Sequence, residues 1–272
     1  MKWYQVKSFF TFYRKASTLY NVQSDFLYQL LKNGLDIEKE YYIYGKLEDI
    51  RARLLKKDRI IQVRDHGAGS NKLKMAERKL SDIAATSLSD KTTCRILFLL
   101  VEYFKCKNVL ELGTSLGLSS LYLSAPASDI HVTTIEGDKA LSALAQSLHA
   151  QAGAGNIQII HGSFQEALPT ALDHIESVDL AFIDGHHASI PTLAYFKTIL
   201  EKCHEQSIIV FDDIYWSEDM TKAWQKIVAH PEVTLALDLY KLGIVFLNKN
   251  LSRQYFRYIP YKYKPWKIGI FG

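Results

Sequence analysis

From about residue 106 onward, short apolar runs alternate with amphipathic stretches. The runs lie at 108–112, 131–135, 157–161, 178–183, 207–211, 232–237 and 243–247, with helical patterns near 117–126, 138–152, 164–173, 188–203 and 217–229. Strands that alternate with helices of this length are typical of a parallel sheet built from βαβ units. The last two runs are too close together for a crossover helix, so we expect them to pair as an antiparallel hairpin. The pattern predicts an α/β fold with a doubly wound, mostly parallel seven-stranded sheet whose last strand is antiparallel.

Residues 1 to about 85 have a helical pattern instead, which predicts an N-terminal helical extension. Within it, residues 63–70 contain two glycines and read as a loop, either a lid over a site or a plain connector. Residues 251–272 are basic and aromatic, and we expect a partly ordered tail over the surface. The predicted division is therefore an extension or cap (1–85), a Rossmann-like domain (86–250) and a tail (251–272).

Composition favours a packed globule over disorder, since 48% of the 272 residues are hydrophobic and 23% are charged. No run approaches the roughly 18 apolar residues of a membrane span. The first residues lack the apolar core of a secretory signal. The three cysteines form no metal-ligand pattern and read as reduced thiols, so we expect a cytoplasmic protein.

The net charge of +4 is unevenly spread, with an acidic middle between basic ends. The basic ends could steer an anionic substrate or contact a membrane surface or nucleic acid, but a solvated surface is the favoured interpretation. We expect no nucleic-acid partner and leave weak surface association open. The sequence does not indicate the oligomeric state.

The most informative stretch is Val109–Ser119, in which an apolar run is followed by Glu111, Gly113 and Gly117 and then by an amphipathic segment. This order is typical of the strand, loop and helix of a nucleotide-type cofactor site. The glycines let the backbone turn sharply and approach a ligand closely. A carboxylate beside the loop would repel a pyrophosphate, but it suits a ligand that carries positive charge.

Other predicted strands also end in polar residues, and in open parallel sheets ligands bind at those ends. Glu136 lies about 20 residues beyond the glycine loop, where an acid can accept hydrogen bonds from ribose hydroxyls. Its alternative interpretation is a carboxylate favoured by a helix N-terminus. Asp184 ends a further strand, and Asp212 and Asp213 end the next one.

Five motifs in order resemble those of class I S-adenosylmethionine-dependent methyltransferases, most closely the catechol/caffeoyl-CoA O-methyltransferase type. The resemblance covers about residues 85–250, and the motifs are Glu111–Ser119, Thr134–Gly137, Gly162–Ser163, Phe182–His187 and Phe211–Trp216. It implies S-adenosylmethionine as cofactor and a small-molecule methyl acceptor as partner.

The resemblance also implies residue roles. Glu111 would orient the cofactor's ammonium, Gly113 and Gly117 would shape the loop, and Glu136 would hold the ribose. Ser163 and Phe164 would lie near the adenine. The remaining expected cofactor contacts are Thr114, Ser115, Ser119, Gly162 and Asp184.

In metal-dependent members three oxygen ligands bind Mg²⁺ or Ca²⁺, and here they would be Asp184, Asp212 and Asp213. The last ligand is usually asparagine, so Asp213 adds a negative charge; the alternative is that Asp212 and Asp213 only cap a helix. The family's lysine base falls at His187, whose imidazole titrates near neutral pH and can take a hydroxyl proton. A surface role for His187 and a rival base at His66 remain open.

The sequence thus predicts methyl transfer, with Asp184 and His187 as catalytic candidates. One alternative is an NAD(P)-dependent oxidoreductase on a related sheet, but the loop has Ser115 where the dinucleotide motif has its middle glycine. The other is a non-catalytic cofactor-binding or membrane-surface protein that uses the basic, aromatic ends. The sequence does not identify the acceptor.

Overall fold

The structure is a computed structural model that describes residues 2–64 and 75–265. The helices in this part are α1 (Lys2–Lys15), α2 (Asp25–Gln29), α3 (Tyr42–Leu55), α4 (Leu80–Ser87), α5 (Lys91–Phe104), α6 (Leu118–Ser124), α7 (Lys139–Ala152), α8 (Phe164–Asp173), α9 (Ser189–Leu200) and α10 (Glu218–Val228). The strands are β1 (Ile60–Arg64), β2 (Met75–Lys79), β3 (Asn108–Leu112), β4 (His131–Glu136), β5 (Ile157–His161), β6 (Val178–Ile183), β7 (Cys203–Phe211), β8 (Leu235–Asp238), β9 (Gly243–Phe246) and β10 (Gln254–Arg257).

The central sheet confirms the predicted fold class, with one more strand than expected. Its order is β10-β8-β9-β7-β6-β3-β4-β5. Strand β4 pairs in parallel with both β3 and β5, whereas β9 is antiparallel to β7 and β8. The predicted closing hairpin is therefore present as β8 and β9. The eighth strand, β10, pairs in parallel with β8.

Strand β10 corrects the expectation that residues 251–272 lie over the surface as a tail. Residues 254–257 join the sheet, and Phe256 is buried. The segment is short and rich in basic and aromatic residues, so its sequence carries little period-2 signal. Residues 266–272 lie outside the described part of the chain.

The predicted N-terminal helical extension is present, and it also contains two strands. Strands β1 and β2 form an antiparallel pair, with Ile61 opposite Arg78. Ile61 and Val63 are buried while Ile60 and Gln62 are exposed, which is the alternation of a half-buried strand. The candidate lid at 63–70 lies outside the described residues from position 65 onward, as does His66.

The chain forms two compact units: a split unit of residues 1–36 and 179–272, and a continuous unit of residues 37–178. The predicted three-part division stays a prediction. In the continuous unit, Tyr44 packs against Phe98 and Tyr122, with ring centroids 5.0 and 5.8 Å away. Helix α7 begins after Asp138, whose carboxylate caps it by accepting from two backbone N–H groups at 2.8 and 2.9 Å.

In the split unit, the C-terminal segment holds helix α1. Phe12 and Ala16 form a small buried cluster with Ile259. The buried Lys264 ammonium donates to the carbonyls of Tyr13, Arg14 and Ala16, the last at 2.8 Å. A cation at a helix C-terminus satisfies carbonyls that have no partner within the helix and interacts favourably with the helix dipole.

Candidate functional site

The predicted glycine loop is a tight turn after β3 in the continuous unit. Gly113 and Gly117 have φ of 107° and 81°, and the Gly117 N–H donates to the Thr114 carbonyl at 2.8 Å. A Cβ on Gly117 would lie 2.4 Å from Nε2 of His149, so packing as well as backbone conformation requires glycine. His149 is buried, which lowers its pKa.

Glu111 lies fully buried beside this turn. Its Oε2 accepts hydrogen bonds from Thr134, at 2.7 Å, and from Ser120, whereas its Oε1 has no protein partner. Burial raises the pKa of Glu111, and the nearby hydroxyl groups of Ser119, Ser120 and Thr134 oppose that shift. A buried carboxylate oxygen without a donor is costly, so it points to a ligand or water at this position.

Glu136, at the end of β4, binds the same turn from the other side. Its carboxylate accepts from the backbone N–H of Ser115 at 2.7 Å and from that of Asp138 at 2.9 Å. The hydroxyl oxygens of Thr114 and Thr134 lie 2.6 Å apart. The structure therefore brings together Glu111, Gly113, Thr114, Ser115, Gly117, Ser119 and Glu136, and their contact with a cofactor stays a prediction.

Gly162, Ser163 and Phe164 follow the next strand. The Gly162 N–H donates to the Glu136 carbonyl at 3.0 Å, which joins this turn to the previous strand end. Ser163 is the N-cap of α8, and its hydroxyl lies 2.7 Å from Oε2 of Glu166. The Ser163 side chain thus has a structural role, and an adenine contact for it stays a prediction.

A second group of predicted residues lies in the split unit, after β6 and β7. Nε2 of His187 lies 3.8 Å from Oδ1 of Asp184 and 4.0 Å from Oδ2 of Asp213. The imidazole also lies against Trp216, with ring centroids 5.6 Å apart. Asp212 is buried, and its Oδ1 has no protein partner.

The three carboxylates in this group affect one another. Burial, and then the charges of Asp184 and Asp213, raise the pKa of Asp212 well above its ordinary range, against an opposing contribution from Lys241. His187 lies beside this acidic group. The neighbouring His186 is engaged elsewhere, with its Nδ1 3.2 Å from the Tyr195 hydroxyl.

Backbone strain is concentrated in these loops. Among the residues that the structure describes, six other than glycine have positive φ, and four of them are Ser115, His186, His187 and Asp213. Such conformations cost about 1–3 kcal/mol each and cluster at functional sites. The strain is independent support for the two predicted groups.

The predicted metal set fits in its chemistry but not in its arrangement. Carboxylate oxygens of Asp184, Asp212 and Asp213 suit Mg²⁺ or Ca²⁺. Within residues 2–64 and 75–265, however, no group of three or more His, Cys, Asp or Glu side chains is placed to hold a metal ion. A metal at these residues stays a prediction, and no chemical step is derived through one.

Sequence reasoning missed two kinds of residue around these groups. The hydroxyls of Thr134 and Ser120 donate hydrogen bonds to Glu111, from 23 and 9 positions further along the chain. An isolated hydroxyl residue in a sequence does not indicate which residue its side chain binds. Asp238, fully buried, accepts from the Tyr215 hydroxyl at 2.7 Å and from the Tyr255 hydroxyl at 2.5 Å. Asp238 orients Tyr215, which lies two residues after Asp213. The signal that could have identified Asp238 is an acid at the end of an apolar strand.

Comparison with known proteins bears out the resemblance. Residues 110–214 match the family model described as a methyltransferase domain. A curated protein of Mycolicibacterium vanbaalenii named "Putative O-methyltransferase" is 31% identical over 147 residues, which cover 53% of this chain. The match spans 64% of that relative's own length.

Solved structures show the same fold. One described as a "putative caffeoyl-CoA O-methyltransferase" from Staphylococcus aureus superposes with a TM-score of 0.55 at 22% identity, covering 62% of this chain and 88% of its own. An O-methyltransferase from Bacillus cereus in complex with SAH has a TM-score of 0.55 at 18% identity, covering 81% and 96%. In the described part of our chain, no helix is long and apolar enough to span a membrane.

Proposed function

We propose that this chain, whose residues 110–214 match a methyltransferase domain, transfers a methyl group from S-adenosylmethionine to a hydroxyl oxygen of a small molecule. The donor binds at the turn after β3. The base for the acceptor hydroxyl is His187, in the group of carboxylates that follows β6 and β7.

The observation that carries the proposal is the unpartnered Oε1 of the buried Glu111. The ammonium of S-adenosylmethionine, directly or through a water, supplies the hydrogen-bond donor and positive charge that this oxygen lacks. A dinucleotide pyrophosphate brings negative charge to the same turn and would be repelled. The oxidoreductase alternative is therefore disfavoured by charge as well as by Ser115 in place of the middle glycine.

Glu136 supplies the second donor contact. It is already oriented by the N–H groups of Ser115 and Asp138, and a carboxylate oxygen can accept more than one hydrogen bond. Ribose hydroxyls are suitable donors to it. The adjoining turn at Gly162, Ser163 and Phe164 is proposed to lie near the adenine, since Gly162 is bonded to the backbone of Glu136.

The chemical step needs positioning more than activation, because the sulfonium sulfur leaves as a neutral thioether, which is a good leaving group. The acceptor oxygen forms a bond to the methyl carbon while the carbon–sulfur bond breaks and its electron pair stays on sulfur. Nε2 of His187 takes the hydroxyl proton. Asp184 and Asp213, 3.8 and 4.0 Å away, stabilise the imidazolium that forms.

The proposal is tested by incubating the protein with methyl-labelled S-adenosylmethionine and a panel of catechols and other small hydroxyl compounds. Label recovered as a methyl ether, lost in His187→Gln, is the expected result. Label recovered only on nitrogen would contradict hydroxyl methylation, and NAD(P)-dependent oxidation of the same compounds would favour the alternative.

A further inference from the structure

We propose that the outer face of helix α1 docks on an anionic lipid surface. This docking face consists of Trp3, Val6, Lys7, Phe10 and Arg14, which all lie on one side of the helix because they are spaced three or four residues apart. They surround an open depression of about 810 Å³ together with parts of Thr11, Tyr13 and Lys264.

The apolar members of this face are exposed to an unusual degree. Trp3 is 81% exposed and Phe10 is 67% exposed. Isolated surface aromatics are common, but a contiguous apolar patch on a helix marks an interaction surface. The opposite side of α1 is already used, since Phe12 is buried and packs against Tyr240 with ring centroids 5.4 Å apart.

The charge of the region selects the partner. Residues 1–24 contain four Lys or Arg and no Asp or Glu, and the chain after Asp238 contains seven and none. Glu218 is an acid within electrostatic reach of Lys7, but it is paired with Lys222 at 2.8 Å. A basic helix with aromatic residues on its exposed side is typical of interfacial membrane binding.

The same composition disfavours a second copy of the chain as the occupant. A two-fold symmetric contact places a surface against itself, so Lys7 and Arg14 would face like charges with no acid on α1 to pair them. Phosphate groups of anionic lipids neutralise these cations, while Trp3, Val6 and Phe10 enter the boundary with the acyl chains.

The docked orientation has a structural consequence within the split unit. The Gln5 amide donates to the Trp216 carbonyl at 3.3 Å, and the Gln5 carbonyl accepts from the Tyr240 hydroxyl at 2.6 Å. Helix α1 is therefore bonded to the loop that carries Asp213 and Trp216. The loop to which we assign the acceptor therefore contacts the side of α1 that faces away from the lipid.

Co-sedimentation of the full chain with vesicles tests the docking. We expect binding to phosphatidylcholine vesicles that contain about one third phosphatidylglycerol, and much weaker binding to phosphatidylcholine alone. Because each cation at an anionic surface contributes about fivefold in affinity, the double variant Lys7→Gln/Arg14→Gln should bind about 25-fold more weakly. Trp3→Ser/Phe10→Ser should lose about tenfold or more.

Matched controls lie on α3 and at Lys56, the residue after it, in the continuous unit. Tyr42→Ser removes another fully exposed aromatic side chain, and Arg53→Gln/Lys56→Gln removes two exposed cations. Neither should change vesicle binding. Since all substituted side chains are exposed, thermal unfolding should be unchanged and would reveal a folding defect if one arose.

Three results would overturn the proposal. The first is no sedimentation of the wild-type chain with anionic vesicles. The second is equal loss of binding in the α3 controls. The third is that the chain uses α1 to form a dimer or to bind RNA and does not bind vesicles. Light scattering or filter binding would show this if Trp3→Ser/Phe10→Ser lost the dimer or the bound RNA. Methyl-transfer activity is not the readout, so this proposal and the proposed function can fail separately.

Discussion

The backbone N–H of Ser115 donates to the carboxylate of Glu136 across 2.7 Å, which ties the turn after β3 to the end of β4. Ser115 has a φ of 49°, a conformation that is costly for a residue other than glycine. The bond to a charged acceptor stabilises that conformation. The donor site is therefore preorganised by the residue to which we assign the ribose.

Removing this acid should weaken donor binding. Glu136→Gln loses a charged acceptor for both the ribose and the Ser115 N–H, and such bonds are worth about 1.5–3 kcal/mol. We expect a 10- to 100-fold rise in the Kd for S-adenosylhomocysteine, measured by calorimetry. Glu176→Gln, at an exposed position of the same unit, is the matched control and should leave the Kd unchanged. Unaltered affinity in Glu136→Gln would remove Glu136 from the donor site.

The turn itself can be tested with a pair of glycines. Gly117 and Gly153 have φ of 81° and 76°, but only Gly117 is crowded, with a Cβ position 2.4 Å from His149 and 3.0 Å from Ala145. Gly153→Ala should cost about 1–2 kcal/mol of unfolding free energy, from backbone conformation alone. Gly117→Ala should cost at least about 1 kcal/mol more, because the clash adds to it. Equal costs in urea unfolding would show that the packing of the turn is looser than described.

The proposed base is tested by His187→Gln. Loss of a general base lowers kcat about 10²- to 10⁴-fold, while affinity for S-adenosylhomocysteine should stay within about threefold. His204→Gln is a fitting control, because His204 also pairs with an aspartate, Asp179, at 2.8 Å in the same unit. A normal kcat in His187→Gln would contradict the assignment of His187 as the base. Loss of affinity for S-adenosylhomocysteine in place of the loss of kcat would also contradict it.

The raised pKa of Asp212 predicts how stability depends on pH. A carboxyl whose folded-state pKa is raised contributes stability at pH below its unfolded value of about 3.8, and loses that contribution as pH rises through the folded value. The Asp212→Asn variant has no carboxyl at this position, so its stability does not fall in this way as pH rises. Its unfolding free energy relative to wild type should therefore increase between about pH 5 and about pH 8.

Urea unfolding at both pH values, with EDTA present, measures this change. Asp173→Asn, at an exposed position, serves as the control and should show the same pH dependence as wild type. If Asp212→Asn were destabilised by the same amount at both pH values, the three carboxylates would not be repelling one another as the structure implies.

The order of strands and the residues at their ends could be predicted from sequence because the signals are local. An apolar run, a glycine and a capping residue such as Asp138 act within one turn of chain, and the parallel pattern then brings strand ends to one edge. Glu111, Gly113, Ser115 and Glu136 were found in this way. One hydrogen bond, from the Ser115 N–H to Glu136, joins two of these residues, and their contacts with a cofactor stay a prediction.

The remaining features depend on partners far apart in sequence. Lys264 caps a helix that ends about 250 residues earlier, and β10 is a strand only because β8 offers it a free edge. Strands β1 and β2 pair with each other, although residues 65–74 separate them in sequence. No local pattern carries such information, so the sequence predicted neither β10 nor the β1–β2 pair.

Calorimetric titration of the purified chain with S-adenosylhomocysteine and, separately, with NAD⁺ tests the central claim most directly: buried acids at the turn after β3 select a cationic donor without phosphates. We expect S-adenosylhomocysteine to bind with a Kd of about 10⁻⁶ to 10⁻⁵ M, weakened by at least about tenfold in Glu111→Gln, and NAD⁺ to give no binding heat. Tight binding of NAD⁺ with no heat from S-adenosylhomocysteine would contradict it.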